Sequence, residues 1–266
     1  MIGAIAGDII GSIYEFNNLK SKEFPLFGAK CCLTDDSVMT IAVAEALMNT
    51  MGRSPKEVRK EIIRAMQYWG KRYPYAGYGG RFKRWLVDPD PKPYNSWGNG
   101  SAMRVSAAGW LFPTIQSTAD HARYTAEVTH NHPEGIRGAE AVASAIFMLR
   151  NGKKKEEVKQ YIHGVYQYDF SFTLDEIRPS YEFDESCQGT VPYAMEAFFE
   201  SEDFEDAIRN AISIGGDSDT LAAITGSLAE AYYGVPDEIV DRVLTYLDDD
   251  AMDIYIKFIF LLNLQK

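Results

Sequence analysis

The stretch "GGDSDT", residues 215–220, lies between two apolar helical segments, "AIRNAISI" at 207–214 and "LAAITGSLAEAYYG" at 221–234. A helix that is apolar nearly all round is a buried helix. The two segments therefore predict a core built from helices, with Asp217 and Asp219 at its centre. Unpartnered buried carboxylates are costly, and hard divalent cations are their usual partners. The glycines before them permit positive φ and a close approach of the backbone.

Working outward, helical periodicity dominates the chain. It predicts helices over 3–15, 36–51, 55–72, 101–111, 118–130, 134–150, 154–164, 189–200, 204–214, 219–233, 236–248 and 251–263. Ser54-Pro55, Pro133-Glu134 and Val235-Pro236 mark starts, and Gly52, Gly152 and Gly234 mark stops. No run alternates as a strand would. The expected fold is all-α, a compact single-domain orthogonal bundle of about a dozen helices over 1–266. Residues 73–100, rich in Gly, Pro and aromatics, are the exception. A loop that long inside a compact domain is usually functional, and it is expected to be ordered and to line a cleft.

A second acidic cluster, Thr34-Asp35-Asp36, precedes another apolar helix. An N-cap with first-turn acids accounts for one or two of these groups, and ligation for all three. In helix 3–15, Gly3, Gly7 and Gly11 form one flat face, and Asp8, Ser12 and Glu15 another. Each helical glycine costs about 1 kcal/mol against alanine, so close approach of a second helix is expected. Neither acidic loop carries Cys or His, which favours Mg²⁺ or Mn²⁺ over zinc. Gly98-Asn99-Gly100, opening helix 101–111, suggests an anion site of backbone N–H groups. His130 and His132 lack a third neighbour for zinc, and Arg81, Lys83 and Arg84 read as a solvated face.

Composition sets the outer bounds. The net charge of −11 argues against general binding to nucleic acid or anionic membranes. Three cysteines without framework spacing point to a reducing compartment, and the N-terminus is too acidic and too short for a span or a secretory signal. A cytoplasmic protein is expected.

The motifs "GAIAGDIIGSIYE", "TDDSVMT", "GNGSAMR", "THNHPEGIRGAEAVA" and "GGDSDTLAAITGSLAEAYYG", in this order over 1–234, resemble the ADP-ribosylglycohydrolase family. The resemblance implies an all-α domain with a binuclear Mg²⁺ or Mn²⁺ centre and a monomer acting on ADP-ribose-bearing substrates. Carried over, Thr34, Asp35, Asp36, Asp217, Asp219 and Thr220 hold the metals, with Asp219 as the bridge. Glu15, or less directly Asp36, activates water. Ser96, Trp97, Gly98, Asn99 and Gly100 wrap the diphosphate, Trp97 touches the adenosine half, and His130 lies near the ligand. The implied reaction is hydrolysis of the glycosidic bond at ADP-ribose C1″. The acceptor stays open: arginine, serine, a base, a guanidine compound or an acetyl ester. The alternatives are a two-metal phosphohydrolase, which would release AMP, and a non-catalytic ADP-ribose-binding module.

Overall fold

The computed structural model describes residues 1–264. Among these, fifteen helices and no strand are present. They are α1 (Ile2–Gly11), α2 (Asp35–Asn49), α3 (Pro55–Arg72), α4 (Gly80–Trp85), α5 (Gly100–Met103), α6 (Ser106–Leu111), α7 (Ile115–Glu127) and α8 (Pro133–Arg150). Then follow α9 (Lys155–Tyr166), α10 (Leu174–Ile177), α11 (Cys187–Phe199), α12 (Phe204–Ile214), α13 (Ser218–Tyr233), α14 (Asp237–Leu244) and α15 (Asp249–Leu264). The starts and stops behave as their residue types require. Ser54 and Glu57 close a capping box on α3 with Pro55 in its first turn. Gly52, Gly152 and Gly234 follow helices at φ of 74°, 79° and 78°.

α13 is the centre of the molecule, buried from Ser218 through Ala229, and it packs on α1, α8, α11 and α12. The glycine face of α1 is what lets it approach so closely. A Cβ on Gly7 would stand 2.0 Å from the Ala222 carbonyl oxygen, and one on Gly3 2.3 Å from that of Gly226. Gly226 answers from the other side, where a Cβ would meet the Gly3 oxygen at 2.1 Å. At Gly11 the obstacle would be the Asp219 Cα at 2.5 Å. The helix cost of these glycines is thus offset by contact between two backbones.

Helix ends shift by a few residues in several places, and three departures from the expected elements bear on the site. α1 ends at Gly11 instead of running to 15, so Asp8 and Glu15 do not share a helical face. Beyond Gly11, Ser12 Oγ turns back to the Ile9 carbonyl, and Asn18 Nδ2 takes the Tyr14 and Glu15 carbonyls, which closes the turn without further helix. The expected helix 101–111 is two short ones, α5 and α6, broken at Arg104, whose guanidinium is buried against the end of α7. Residues 73–100 are ordered, as expected, but contain α4.

Candidate metal centre and its cavity

The two acidic loops meet at the end of α1: Asp8 on the helix anchors one, and the close approach of Gly11 to Asp219 with Asn18 just beyond the helix anchors the other. Asp8 is fully buried on α1. Its oxygens accept from Thr34 N at 3.0 Å, Thr34 Oγ1 at 2.6 Å and Ser37 N at 3.0 Å, and also from Ser37 Oγ. It therefore pins the start of α2. Thr34 Oγ1 in turn accepts from Asp36 N at 3.3 Å as the N-cap of α2, leaving one lone pair.

The opposite loop is bent by Gly215 and Gly216 at φ of 76° and 72°. Asn18 brackets it from both sides. Its Oδ1 accepts from Gly216 N at 2.7 Å and its Nδ2 donates to Gly216 O at 2.9 Å. Because Asn18 also holds the Glu15 carbonyl at 2.8 Å, one side chain ties the Glu15 turn to the Asp217 loop. Asn99 donates to Asp217 Oδ2 at 2.7 Å and to Thr190 Oγ1 at 3.0 Å, so its amide nitrogen positions a carboxylate.

The result is two groups of carboxylate oxygens, each within 4.8 Å of one another: Asp8, Asp36 and Asp219, and Glu15, Asp217 and Asp219. Asp219 belongs to both. Asp36 Oδ1 is buried without a hydrogen-bond partner, while Oδ2 receives Thr220 Oγ1 at 3.3 Å. Burial first, and then mutual repulsion, raises these acids. Asp36 and Asp219 are held well above the usual carboxylate range, Asp35 is pushed up to about 8, and Glu15 to about 7. Desolvation next to like charge makes these oxygens a set that a cation would neutralise. The donors are all oxygen, which suits a hard divalent ion.

The acids open into a cavity of about 480 Å³. Glu15, Asp35, Asp36, Asp217, Asp219 and Thr220 line it, as do Ser96, Gly98, Asn99, Gly100 and His130. Thr34 stands behind them against Asp8. Trp97 is placed elsewhere: it is 48% exposed and lines a neighbouring groove with Asp184 and Ser186. Gly98 pairs with Ser186 and Trp97 O accepts from Cys187 N, which turns the indole outward onto His132, edge-on at 5.6 Å. The aromatic walls of the cavity are instead Phe16, Phe82, Tyr94 and Phe183. Arg81, read above as solvated, is exposed but lines the cavity. The anchoring by Asp8 had a sequence signal, an acid on a wholly apolar helix. Tyr94 had one too, as part of the aromatic-rich 73–100 segment expected to line a cleft; Phe183 and Glu185 had none, since only tertiary contacts bring them here. α5, four residues long, is too short for a developed dipole, so any anion attraction rests on individual N–H groups of the 98–101 loop.

Fold and site together define an all-helical protein with a central, carboxylate-floored cavity. The sequence model of the ADP-ribosylglycohydrolase family matches residues 1–260, and the chain belongs to that family, whose members are hydrolases of glycosidic bonds. It is 24% identical over 312 residues to ADP-ribosylhydrolase ARH3 of Bos taurus, covering 88% of this chain and 84% of that protein. Against ADP-ribosyl-[dinitrogen reductase] glycohydrolase of Rhodospirillum rubrum it is 27% identical over 230 residues, covering 81% and 74%. The solved structure of an ADP-ribosylglycohydrolase-related protein complex shares the fold, with a TM-score of 0.67 at 24% identity over 100% of this chain and 97% of that one. Among the described residues no helix is long and apolar enough to cross a membrane.

Proposed function

We propose that residues 1–266 work as one domain that uses divalent metal to hydrolyse the glycosidic bond between ADP-ribose and an acceptor group, releasing ADP-ribose. The observation that carries this reading is Asp219, shared by two carboxylate groups beneath the cavity while Asp36 Oδ1 lacks any partner. Thr34, Asp35, Asp36, Asp217, Asp219 and Thr220 would hold Mg²⁺ or Mn²⁺. Bound there, such ions neutralise the acids and orient the hydroxyls of the distal ribose.

The chain's own groups divide the remaining work. Glu15 sits at the cavity wall beside Asp217 and Asp219, where its carboxylate takes a proton from the attacking water as C1″ gains oxocarbenium character. Asp36, buried and held by Thr220, is the second carboxylate in reach of that role. Ser96, Gly98, Asn99, Gly100 and His130 face the diphosphate, and Tyr94 with Phe183 meets the adenosine half. The acceptor leaves through the open mouth. A relative named for arginine, ADP-ribosylarginine hydrolase Tri1 of Pseudomonas putida, makes a guanidine-type acceptor the first to assay.

A panel of ADP-ribosylated substrates with and without EDTA tests the reading. ADP-ribose should be released only with metal. Release of AMP would point to a phosphohydrolase, and tight binding without turnover to a binding module. Glu15→Gln should keep ADP-ribose binding while turnover falls about 10²-fold or more. Rates like those of the native protein would move the base to Asp36.

A further inference from the structure

Arg104 is one of the largest fully buried side chains, 1% exposed, and among the described residues its side-chain hydrogen bonds go to the end of α7 and to Thr129 just after it. Its Nη2 donates to the Thr125 carbonyl at 2.9 Å and to Thr129 Oγ1 at 2.8 Å. Thr129 is itself fully buried, and its Oγ1 lies 2.7 Å from His130 Nδ1. A guanidinium has only donors, so Thr129 Oγ1 must accept from Arg104. Two arrangements remain for the bond to His130. If Thr129 O–H donates to Nδ1, the hydroxyl is satisfied on both sides, as acceptor from Arg104 and donor to the ring, and the neutral ring carries its proton on Nε2. If Nδ1–H donates to Thr129, the hydroxyl accepts twice and its own hydrogen is left buried without an acceptor, which is costly. The doubly protonated ring is disfavoured by burial and by the Arg104 charge.

We infer that Arg104 and Thr129 act as positioning residues that lock His130 in its Nε2–H tautomer and so present a neutral N–H donor to the ligand at the 98–100 loop. The direction of that donor follows from the glycines. His130 Nε2 lies 3.4 Å from the place a Cβ on Gly98 would take and 3.3 Å from that on Gly100. At these two positions the loop offers glycine and no side chain, and His130 lines the cavity. A donor-only group on this wall selects for an acceptor oxygen, such as a phosphate oxygen of a nucleoside diphosphate sugar. The choice of ligand rests on the proposed function; the tautomer does not. A hydroxyl trapped between a fixed donor and an imidazole has one way to point, so the buried arginine serves to orient a proton two bonds away.

Multiple-bond ¹H–¹⁵N spectra of histidine-labelled, full-length protein decide it. The chain has four histidines, and His130→Gln identifies the signal. His130 should be neutral, with a protonated Nε2 and an unprotonated Nδ1, before any ligand is added. A protonated Nδ1, or even mixing of the two forms, overturns the inference. Thr129→Ser should keep the pattern. Arg104→Met, which removes the donor that holds the Thr129 hydroxyl oxygen, should bring up the Nδ1–H form. Retention of the native pattern there would remove Arg104 from the relay. Thr129→Val should mix the tautomers and weaken ADP-ribose about tenfold, the scale of one hydrogen bond to a charged group. Should either variant fail to fold, the ligand-free spectrum of the native protein still decides. If ADP-ribose does not bind the native protein at all, the functional reading fails while the tautomer result stands.

Discussion

The contact between α1 and α13 behind the acids and the segment 73–100 that lines the cavity are built by opposite means. In the first, two helices touch backbone to backbone at Gly3, Gly7, Gly11 and Gly226, with no side chain between them. In the second, Gly77, Gly79, Arg81, Tyr94, Ser96 and Gly98 line the cavity from an irregular chain interrupted only by α4. The difference follows from what each region holds. Carboxylates that share a cation must keep their spacing to a fraction of an ångström, which suits regular elements locked by close packing. A wall that meets a ligand needs varied side chains and accessible backbone groups, which loops supply.

The largest expected effect tests the rigid region directly. Asp219 serves both carboxylate groups, so Asp219→Ala should abolish metal-dependent turnover and metal binding together, measured by rate and by metal titration. Retention of either would show that Asp219 is not shared. Next, Gly7→Ala should destabilise the protein by about 1–3 kcal/mol from overpacking, although alanine favours helix by about 1 kcal/mol. Thermal or denaturant melting reads this out. An unchanged or raised stability would mean that the two helices are free to separate, and the contrast between the regions would fail.

A third expectation concerns protons. Asp35, raised from the ordinary 3.8 to about 8, binds its proton more tightly folded than unfolded. Its contribution to the metal-free protein is fully present below pH 3.8 and is lost as pH rises toward about 8. Asp36 and Asp219 shift in the same direction. Metal competes for the same oxygens, so Mn²⁺ should raise the melting temperature more near pH 8 than near pH 5.5. Equal shifts at both pH values would place the ion away from these acids. The smallest effect sharpens the irregular wall. Tyr94→Ala should weaken ADP-ribose by about 1–2 kcal/mol, the scale of lost base–aromatic stacking, while Trp97→Ala leaves it nearly unchanged. Calorimetric titration of the pair would show the reverse if the outward indole turns in with ligand.

Asp35, Asp36, Asp217 and Asp219 were legible in the sequence because charge inside an apolar helical pattern is itself anomalous, and no neighbour needs to be known to see it. The glycine face of α1 was legible for a similar reason, since three glycines at helical spacing make sense only against a second backbone. Trp97 was misplaced because its direction depends on the pairing of Gly98 with Ser186, nearly ninety residues away. Arg81 is exposed, as expected, and that it also lines the cavity does not show in sequence, where an exposed arginine looks the same whether it faces water or a cavity. The break of the expected helix at Arg104 escaped notice because "SAMRVSAAGW" has no breaker; burial of one guanidinium against α7 interrupts it.

By itself, then, the sequence determined that this chain is all helix, that its core contains acids, and which acids those are. Periodicity and polarity are local properties, and they survive without a structure. Only the tertiary structure decided that Asp219 faces both groups, that Asn18 ties Glu15 to the Asp217 loop, and that Arg104, Thr129 and His130 form a line. Each of those depends on the distance between residues far apart in the chain, and that distance exists only once the helices have packed.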